Sequence, residues 1–324
     1  MLTSVFSRWG LIAAGVLGLV ALRRPHLSRD PMADFARSGF TQRLLSTPAG
    51  RLSVQEAGAG PPLVFLHGIG GGASGWVWNQ VAPAFLAHFR VIVVDWVGWG
   101  QAEHPQRLLY FEDYTAALNA LLDELAEPAR IVTEGQAAGF AAQVARHRPQ
   151  DIARLVMINP TGGRDFGEDV FPASFSRLEP LLRTQPLNRW LYQLVFHRSS
   201  FIRDFFVRQG FQEPTAVSRA IVEGSLVSAR QPGAAFSALP FLTGELRFDL
   251  VPFLQDLQVP AVMLQGGQVP MYGRDGGAQL AAVNPAIPCW RIQGTKSVPQ
   301  LERPGVTVAL IQQALGFGAA AGPG

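Results

Sequence analysis

Ile131-Val132-Thr133-Glu134-Gly135-Gln136-Ala137-Ala138-Gly139 is the stretch that decides the fold. The β-branched pair Ile131-Val132 opens a strand. That strand feeds a glycine-bounded turn centred on Ala137. Residues 138–148 then continue as a helix of small side chains that stops before Pro149. A strand that passes through a tight turn into a helix is half of a βαβ unit.

The same alternation extends outward on both sides. Leu63-Val64-Phe65-Leu66 is a short buried strand, entered through Pro61-Pro62 and ending in His67-Gly68-Ile69-Gly70-Gly71-Gly72. Val91-Ile92-Val93-Val94-Asp95 is a second apolar run, and Leu155-Val156-Met157-Ile158 is a fourth. Ala261-Val262-Met263-Leu264 is a fifth and residues 289–292 a sixth. Residues 113–125 have helical spacing, with Ala117, Leu118, Leu121, Leu122 and Leu125 on one side. Strands separated by helix-length segments predict parallel crossovers and a mostly parallel, open α/β sheet flanked by helices. Its working face lies at the carboxyl ends of the strands.

Residues 161–258 interrupt this pattern. They hold aromatic-rich segments with helical spacing at 172–183, 188–196, 201–209, 216–229 and 234–242, and none alternates like a strand. This predicts a helical cap (161–258) inserted into a core made of residues 40–160 and 259–316. The Gly/Ala-rich tail, residues 317–324, is expected to be disordered.

Residues 10–22 carry no charge, with Arg8 and Trp9 before them and Arg23, Arg24, His26 and Arg29 after. The run is shorter than the roughly 20 residues that span a bilayer. Val5, Phe6 and a snorkelling Arg8 extend it to a marginal span. Residues 1–31 are therefore expected to be a membrane anchor with the α/β domain on the cytoplasmic side. A cleaved signal peptide is the first alternative, weakened by the arginines that follow the core immediately. A true start at Met32 is the second.

The 324 residues are 48% hydrophobic and 16% charged, with a net charge of +3. That composition excludes a disordered chain. Lysine and arginine form no stripe interleaved with aromatics, so no nucleic-acid partner is expected. The single cysteine, Cys289, excludes an intrachain disulfide framework and a cysteine-based zinc site. No cofactor is expected, and the oligomeric state is left open.

Four landmarks in order carry a family resemblance: His67-Gly68-Ile69-Gly70, Asp95-Trp96-Val97-Gly98-Trp99-Gly100, the turn Gly135–Gly139, and Pro299-Gln300-Leu301-Glu302-Arg303-Pro304. Over residues 50–316 the chain resembles the α/β-hydrolase superfamily, in its capped, epoxide-hydrolase- and esterase-like branch. The resemblance implies a Ser–His–Asp triad, and this sequence departs from it at each position. The nucleophile falls at Ala137, whose methyl group has no lone pair with which to attack. The acid falls at Val269, in Gly266-Gly267-Gln268-Val269, and the histidine at Ser297, two residues before Pro299. No histidine follows His197. A degenerate triad is therefore expected.

A displaced triad would have to draw on Asp165, Glu168 or Asp169 for its acid and on His67, His104, His147 or His197 for its base. Ser74 or Glu134 would stand near the turn. Backbone donors survive the loss of side chains, and the resemblance places an oxyanion-hole-like pair at the amides of Ile69 and Ala138. The glycines could equally persist for turn geometry alone. His67, Gly68, Trp99 and Gln136 are the expected pocket residues, with Trp76, Trp78 and Trp96 near its mouth. Phe171, Phe175, Trp190, Tyr192, Phe196, Phe201, Phe205, Phe206 and Phe211 of the cap line an apolar pocket, pack the core, or form a membrane-facing surface beside the anchor.

Three function classes follow. The first is a membrane-associated pseudo-hydrolase that binds a small apolar or ester-like ligand, or a protein partner. The second is an active esterase- or lipase-like hydrolase with a non-standard site. The third is an assembly factor that uses the cap surface.

Overall fold

The computed structural model describes residues 32–162, 184, 187–242, 244–267 and 276–317. Residues 1–31 lie outside them, as do the cap segment 172–183 and the carboxylates Asp165, Glu168 and Asp169. No helix among the described residues is long and apolar enough to cross a membrane.

Eight strands form one sheet: β1 (Thr41–Thr47), β2 (Gly50–Ala57), β3 (Pro62–Leu66), β4 (Arg90–Asp95), β5 (Ala129–Glu134), β6 (Ile152–Ile158), β7 (Ala261–Gly266) and β8 (Cys289–Ile292). Their order is β1-β2-β4-β3-β5-β6-β7-β8, with β1–β2 and β2–β4 paired antiparallel and the remaining pairs parallel. The parallel strands β3 and β7 are buried along their whole length, which is why they read as unbroken apolar runs. The β1–β2 hairpin is absent from the sequence expectation. Its outer strand, TQRLLST, is largely exposed and shows no apolar run.

Helices α1 (Met32–Arg37), α2 (Phe111–Asp123) and α3 (Ala137–His147) precede the inserted region. The described cap helices are α4 (Leu187–Phe196), α5 (Ser199–Phe205), α6 (Arg219–Ala229) and α7 (Ala234–Leu242). They fall close to the expected segments. A single turn of π-helix, Phe206–Gly210, replaces the end of the helix expected over 201–209. The chain closes with α8 (Val251–Gln255), α9 (Gly276–Val283), α10 (Pro299–Glu302) and α11 (Pro304–Leu315). Helices α2, α3 and α8 cover one sheet face, and α11 with the Trp76–Phe85 region covers the other.

Of the expected tail, residues 318–324 lie outside the described residues and Phe317 is ordered. Phe317 packs against Phe85, His88 and Phe89, with ring centroids 6.1, 5.3 and 5.2 Å away. Its amide caps the last turn at Gln312 O. An aromatic side chain at the helix end gains enough burial to hold its backbone.

Serine hydroxyls tie the cap to the carboxyl edge of the sheet. Ser228 Oγ donates to Ala73 O at 2.6 Å and accepts from the Gly100 amide at 3.0 Å. Ser237 Oγ donates to Gly98 O at 2.6 Å. Aromatic-to-backbone contact completes the seam: a Cβ at Gly71 would lie 2.1 Å from the Phe196 ring.

Two buried ionisable groups brace the same edge. Asp95, at the end of β4, accepts from the amides of Gly75 at 2.6 Å and Gln101 at 2.8 Å. Gly100, at φ +54, lies so close that a Cβ there would overlap the carboxylate. His67 Nε2 accepts from the Trp96 amide at 3.3 Å, so Nδ1 carries the proton toward Gly68 O at 2.6 Å. Burial lowers the His67 imidazole from 6.5 to about 4, against the Gly68 bond. Burial pushes Asp95 from 3.8 up to about 6, against its two amide donors.

These shifts oppose each other in acid. Between their folded and unfolded values, the unfolded chain binds more protons at His67, so that group loses stability as pH falls. The folded chain binds more at Asp95, so that group gains stability over nearly the same window. Asp95→Asn removes the gain and leaves the loss. Urea midpoints taken between neutral pH and about 4.5 should then fall more steeply than in wild type, by about 2 kcal/mol. An unchanged slope would show that Asp95 is not held protonated in this range.

Candidate functional site

Strand β5 ends at Glu134 and helix α3 begins at Ala137, leaving two residues to reverse the chain. The positive torsion falls on Gly135, φ +56, and Gln136 is already helical at φ −65, ψ −24. The Gly135 amide donates to Ile158 O at 3.0 Å, and its carbonyl accepts from Ala138 at 3.2 Å and Thr161 at 3.3 Å. A strand-to-helix turn this tight concentrates its strain on the residue that leaves the strand. The expectation that Ala137 occupies the sharp turn is therefore corrected. Ala137 is the first residue of α3 and is fully buried in the core. The turn position belongs to Gly135, which has no side chain at all. A Cβ built there meets only Gly68 Cα at 3.8 Å and Thr161 Oγ1 at 4.0 Å.

The oxyanion-like pair moves with it. The Ala138 amide is spent on Gly135 O, so it is not an available donor. The Gln136 amide follows the turn residue, and the Ile69 amide follows His67-Gly68. Neither has an acceptor among the described residues. Ile69, Gly70, Gly71, Glu134 and Gly135 are only half-buried, although they sit beneath the cap.

Polar side chains without partners gather here. Both amide atoms of Gln136, both of Gln300 and the Thr161 hydroxyl are buried without a hydrogen bond to any of the described residues. Such groups cost free energy unless a ligand or water completes them. Glu134 accepts from the Gly68 amide at 3.1 Å. Burial holds its carboxyl above the usual range, opposed by the Gly68 amide and by the Gln300 amide that faces it without a well-formed bond.

The position expected for histidine is structural. Ser297 is buried, its Oγ donates to Gln209 O at 2.8 Å, and its amide donates to Gly210 O at 3.0 Å. Asn159, the one non-glycine residue with positive φ among those described, holds this loop. Its Nδ2 donates to Lys296 O and Ser297 O at 3.0 Å each, and its Oδ1 accepts from the Gly266 amide at 2.8 Å. Val269, the expected acid position, lies outside the described residues.

The displaced triad finds no support among the histidines. His67 is locked as described. His147 closes α3, ten residues or roughly 15 Å of helix beyond its start. His104 Nε2 pairs with Gly100 O at 3.1 Å, and His197 sits against Tyr192. Trp99 is corrected as a pocket residue: it is buried in the core and donates to Tyr114 Oη at 2.9 Å. Trp76, Trp78 and Trp96 are also core, because bulky indoles here fill the space between sheet and loops. Asn159, Thr161 and Gln300 stand at the site without having been expected there. Asn159-Pro160-Thr161-Gly162 directly after a strand was the available signal. No group of three metal-ligating side chains forms among the described residues.

The family model described as alpha/beta hydrolase fold matches residues 61–304. A 2-hydroxy-6-oxo-2,4-heptadienoate hydrolase of Pseudomonas putida is 35% identical over 114 residues, 34% of this chain and 41% of that protein. The match thus spans about two fifths of that relative. A pimeloyl-[acyl-carrier protein] methyl ester esterase of Vibrio cholerae is 30% identical over 65% of this chain and 77% of its own length. Among solved structures, a bacterial membrane phospholipase A superposes with a TM-score of 0.68 at 19% identity, covering 97% of this chain and 98% of its own. A Bacillus subtilis carboxylesterase gives 0.70 at 17% identity, covering 89% and 98%. With the sheet order, the β5–α3 turn and the four landmarks, these matches establish that the chain belongs to the α/β-hydrolase-fold family.

Proposed function

We propose that this protein binds an apolar acyl compound at the β5–α3 turn without Ser–His–Asp turnover. In this proposal a carbonyl or carboxylate of the ligand rests on the amides of Ile69 and Gln136, where the N-terminus of α3 favours negative charge. The observation that carries it is Gly135: the turn residue offers space but no nucleophilic atom. Ser297 supports it, because its hydroxyl is already committed to the cap. The unpartnered amide of Gln136 and hydroxyl of Thr161 supply further recognition. Residues 1–31, through the apolar run 10–22, would hold the protein at a membrane.

A second proposal is an active hydrolase with a non-standard site. It is favoured by the relatives, which are named as hydrolases and esterases. Among the described residues, Glu134 is the carboxylate beside the turn and would serve as its base.

One experiment separates the two. Purified protein is exposed to nitrophenyl esters of increasing chain length and to a fluorophosphonate probe. The first proposal expects turnover no higher than the heat-denatured control, no probe adduct, and an acyl compound seen by native mass spectrometry. Turnover that disappears in Glu134→Gln would establish the second instead.

The register of the turn is tested separately. Gly135→Ser with Ser297→His should acquire weak fluorophosphonate labelling, because the new hydroxyl emerges between Gly68 and Thr161. Ala137→Ser with Ser297→His should stay unlabelled, since position 137 faces the core. The reverse pattern would return the turn to Ala137.

A further inference from the structure

The cap exposes aromatic side chains that the site does not use. Of the large hydrophobic side chains exposed among the described residues, Trp190 (44%), Phe201 (41%) and Phe205 (41%) fall in the adjoining helices α4 and α5. Phe201 and Phe205 are four residues apart, so they stand on one face of α5. Ile202, on another face, is buried and fixes which side looks out. Exposed aromatics grouped this way mark an interaction surface.

The charge around them indicates what covers that surface. Residues 187–210 hold four arginines and one acid, Asp204. Arg189 is turned onto the Phe236 ring, 5.5 Å from its centroid. Arg198, Arg203 and Arg208 are exposed, and none has an ion-pair partner among the described residues. Arg198 lies three residues before Phe201, and Arg208 three after Phe205. Exposed guanidiniums beside Trp and Phe complement a plane that is anionic at its surface and apolar just beneath it.

We propose that the α4–α5 face of the cap docks on an anionic lipid surface, with Trp190, Phe201 and Phe205 entering the headgroup region and Arg198, Arg203 and Arg208 on its phosphates. The docking rests on neither residues 1–31 nor the chemistry at Gly135. It would turn the cap, and the site beneath it, toward the bilayer.

The test uses the full chain. Cys289→Ser removes the single cysteine, and Phe205→Cys or, separately, Trp190→Cys carries an environment-sensitive nitrobenzoxadiazole label. Glu127→Cys is the reference site. It is exposed and precedes β5, at the opposite edge of the sheet from the cap. Each protein meets vesicles of phosphatidylcholine alone or with phosphatidylglycerol. Labels at 205 and 190 should brighten and shift to the blue on the anionic vesicles, while the label at 127 stays unchanged. Arg203→Gln should weaken the response about fivefold, and salt should weaken it further. Vesicle binding without a change at 205 and 190 would mean attachment through residues 1–31 alone and would overturn the proposal. So would a label response that follows protein concentration without vesicles, because the face would then join two copies of the chain. A response of equal size on neutral vesicles would remove the role given to the arginines.

Discussion

The reversal of the chain between β5 and α3 is the constraint on which the rest depends. A buried parallel strand must hand its chain to a helix within two residues, and only a left-handed torsion at the first of them allows it. Gly135 takes that torsion, and its neighbours are built around it. Ile158 binds its backbone from β6 and Thr161 from the loop that follows, Gly68 approaches from the β3 loop, and α3 begins where the turn ends. In a hydrolase of this fold the same residue would present a nucleophile. Here the residue with that torsion is a glycine.

The loop before Pro299 is part of the cap's attachment. Ser297 reaches Gln209 and Gly210, Glu302 accepts from the amides of Gln212 and Glu213 on the cap and of Lys296 on the loop, and Asn159 fixes that loop to β6 and β7. An imidazole at 297 would have to displace the bond to Gln209. The polar groups in this region thus divide in two. Those of Ser297, Asn159 and Glu302 are satisfied and hold the fold, whereas Gln136, Thr161 and Gln300 are unsatisfied beside a half-buried turn. Unsatisfied buried groups close to surviving backbone donors are the physical case for a ligand.

The cap was legible as helical because its apolar residues repeat at helical spacing, but its surface was not. Trp190 and Tyr192 lie two positions apart in one helix, yet Tyr192 is buried and Trp190 is exposed. Likewise, Trp76, Trp78, Trp96 and Trp99 follow loop motifs that suggested a pocket mouth. All four are core, because the loops fold back over the sheet and close on them.

The sequence by itself determined the mostly parallel sheet and the helical character of the segments between Ile158 and Ala261 that the structure describes. Unbroken apolar runs have no exposed face to tolerate polar residues, and apolar residues at helical spacing need no coordinates to be read. It did not reveal the β1–β2 hairpin, whose polar edge strand gains its order from pairing with β2. Nor did it fix the turn. Gly135 and Gly139 bracket Ala137 symmetrically, so spacing alone centred the motif two residues late. Only the tertiary structure chose between them, because the end of β5 is set by its register with β6, where Glu134 pairs with Ile158. That pairing places the left-handed torsion on Gly135, and with it the donors, the vacant space and the orphaned amides of the site.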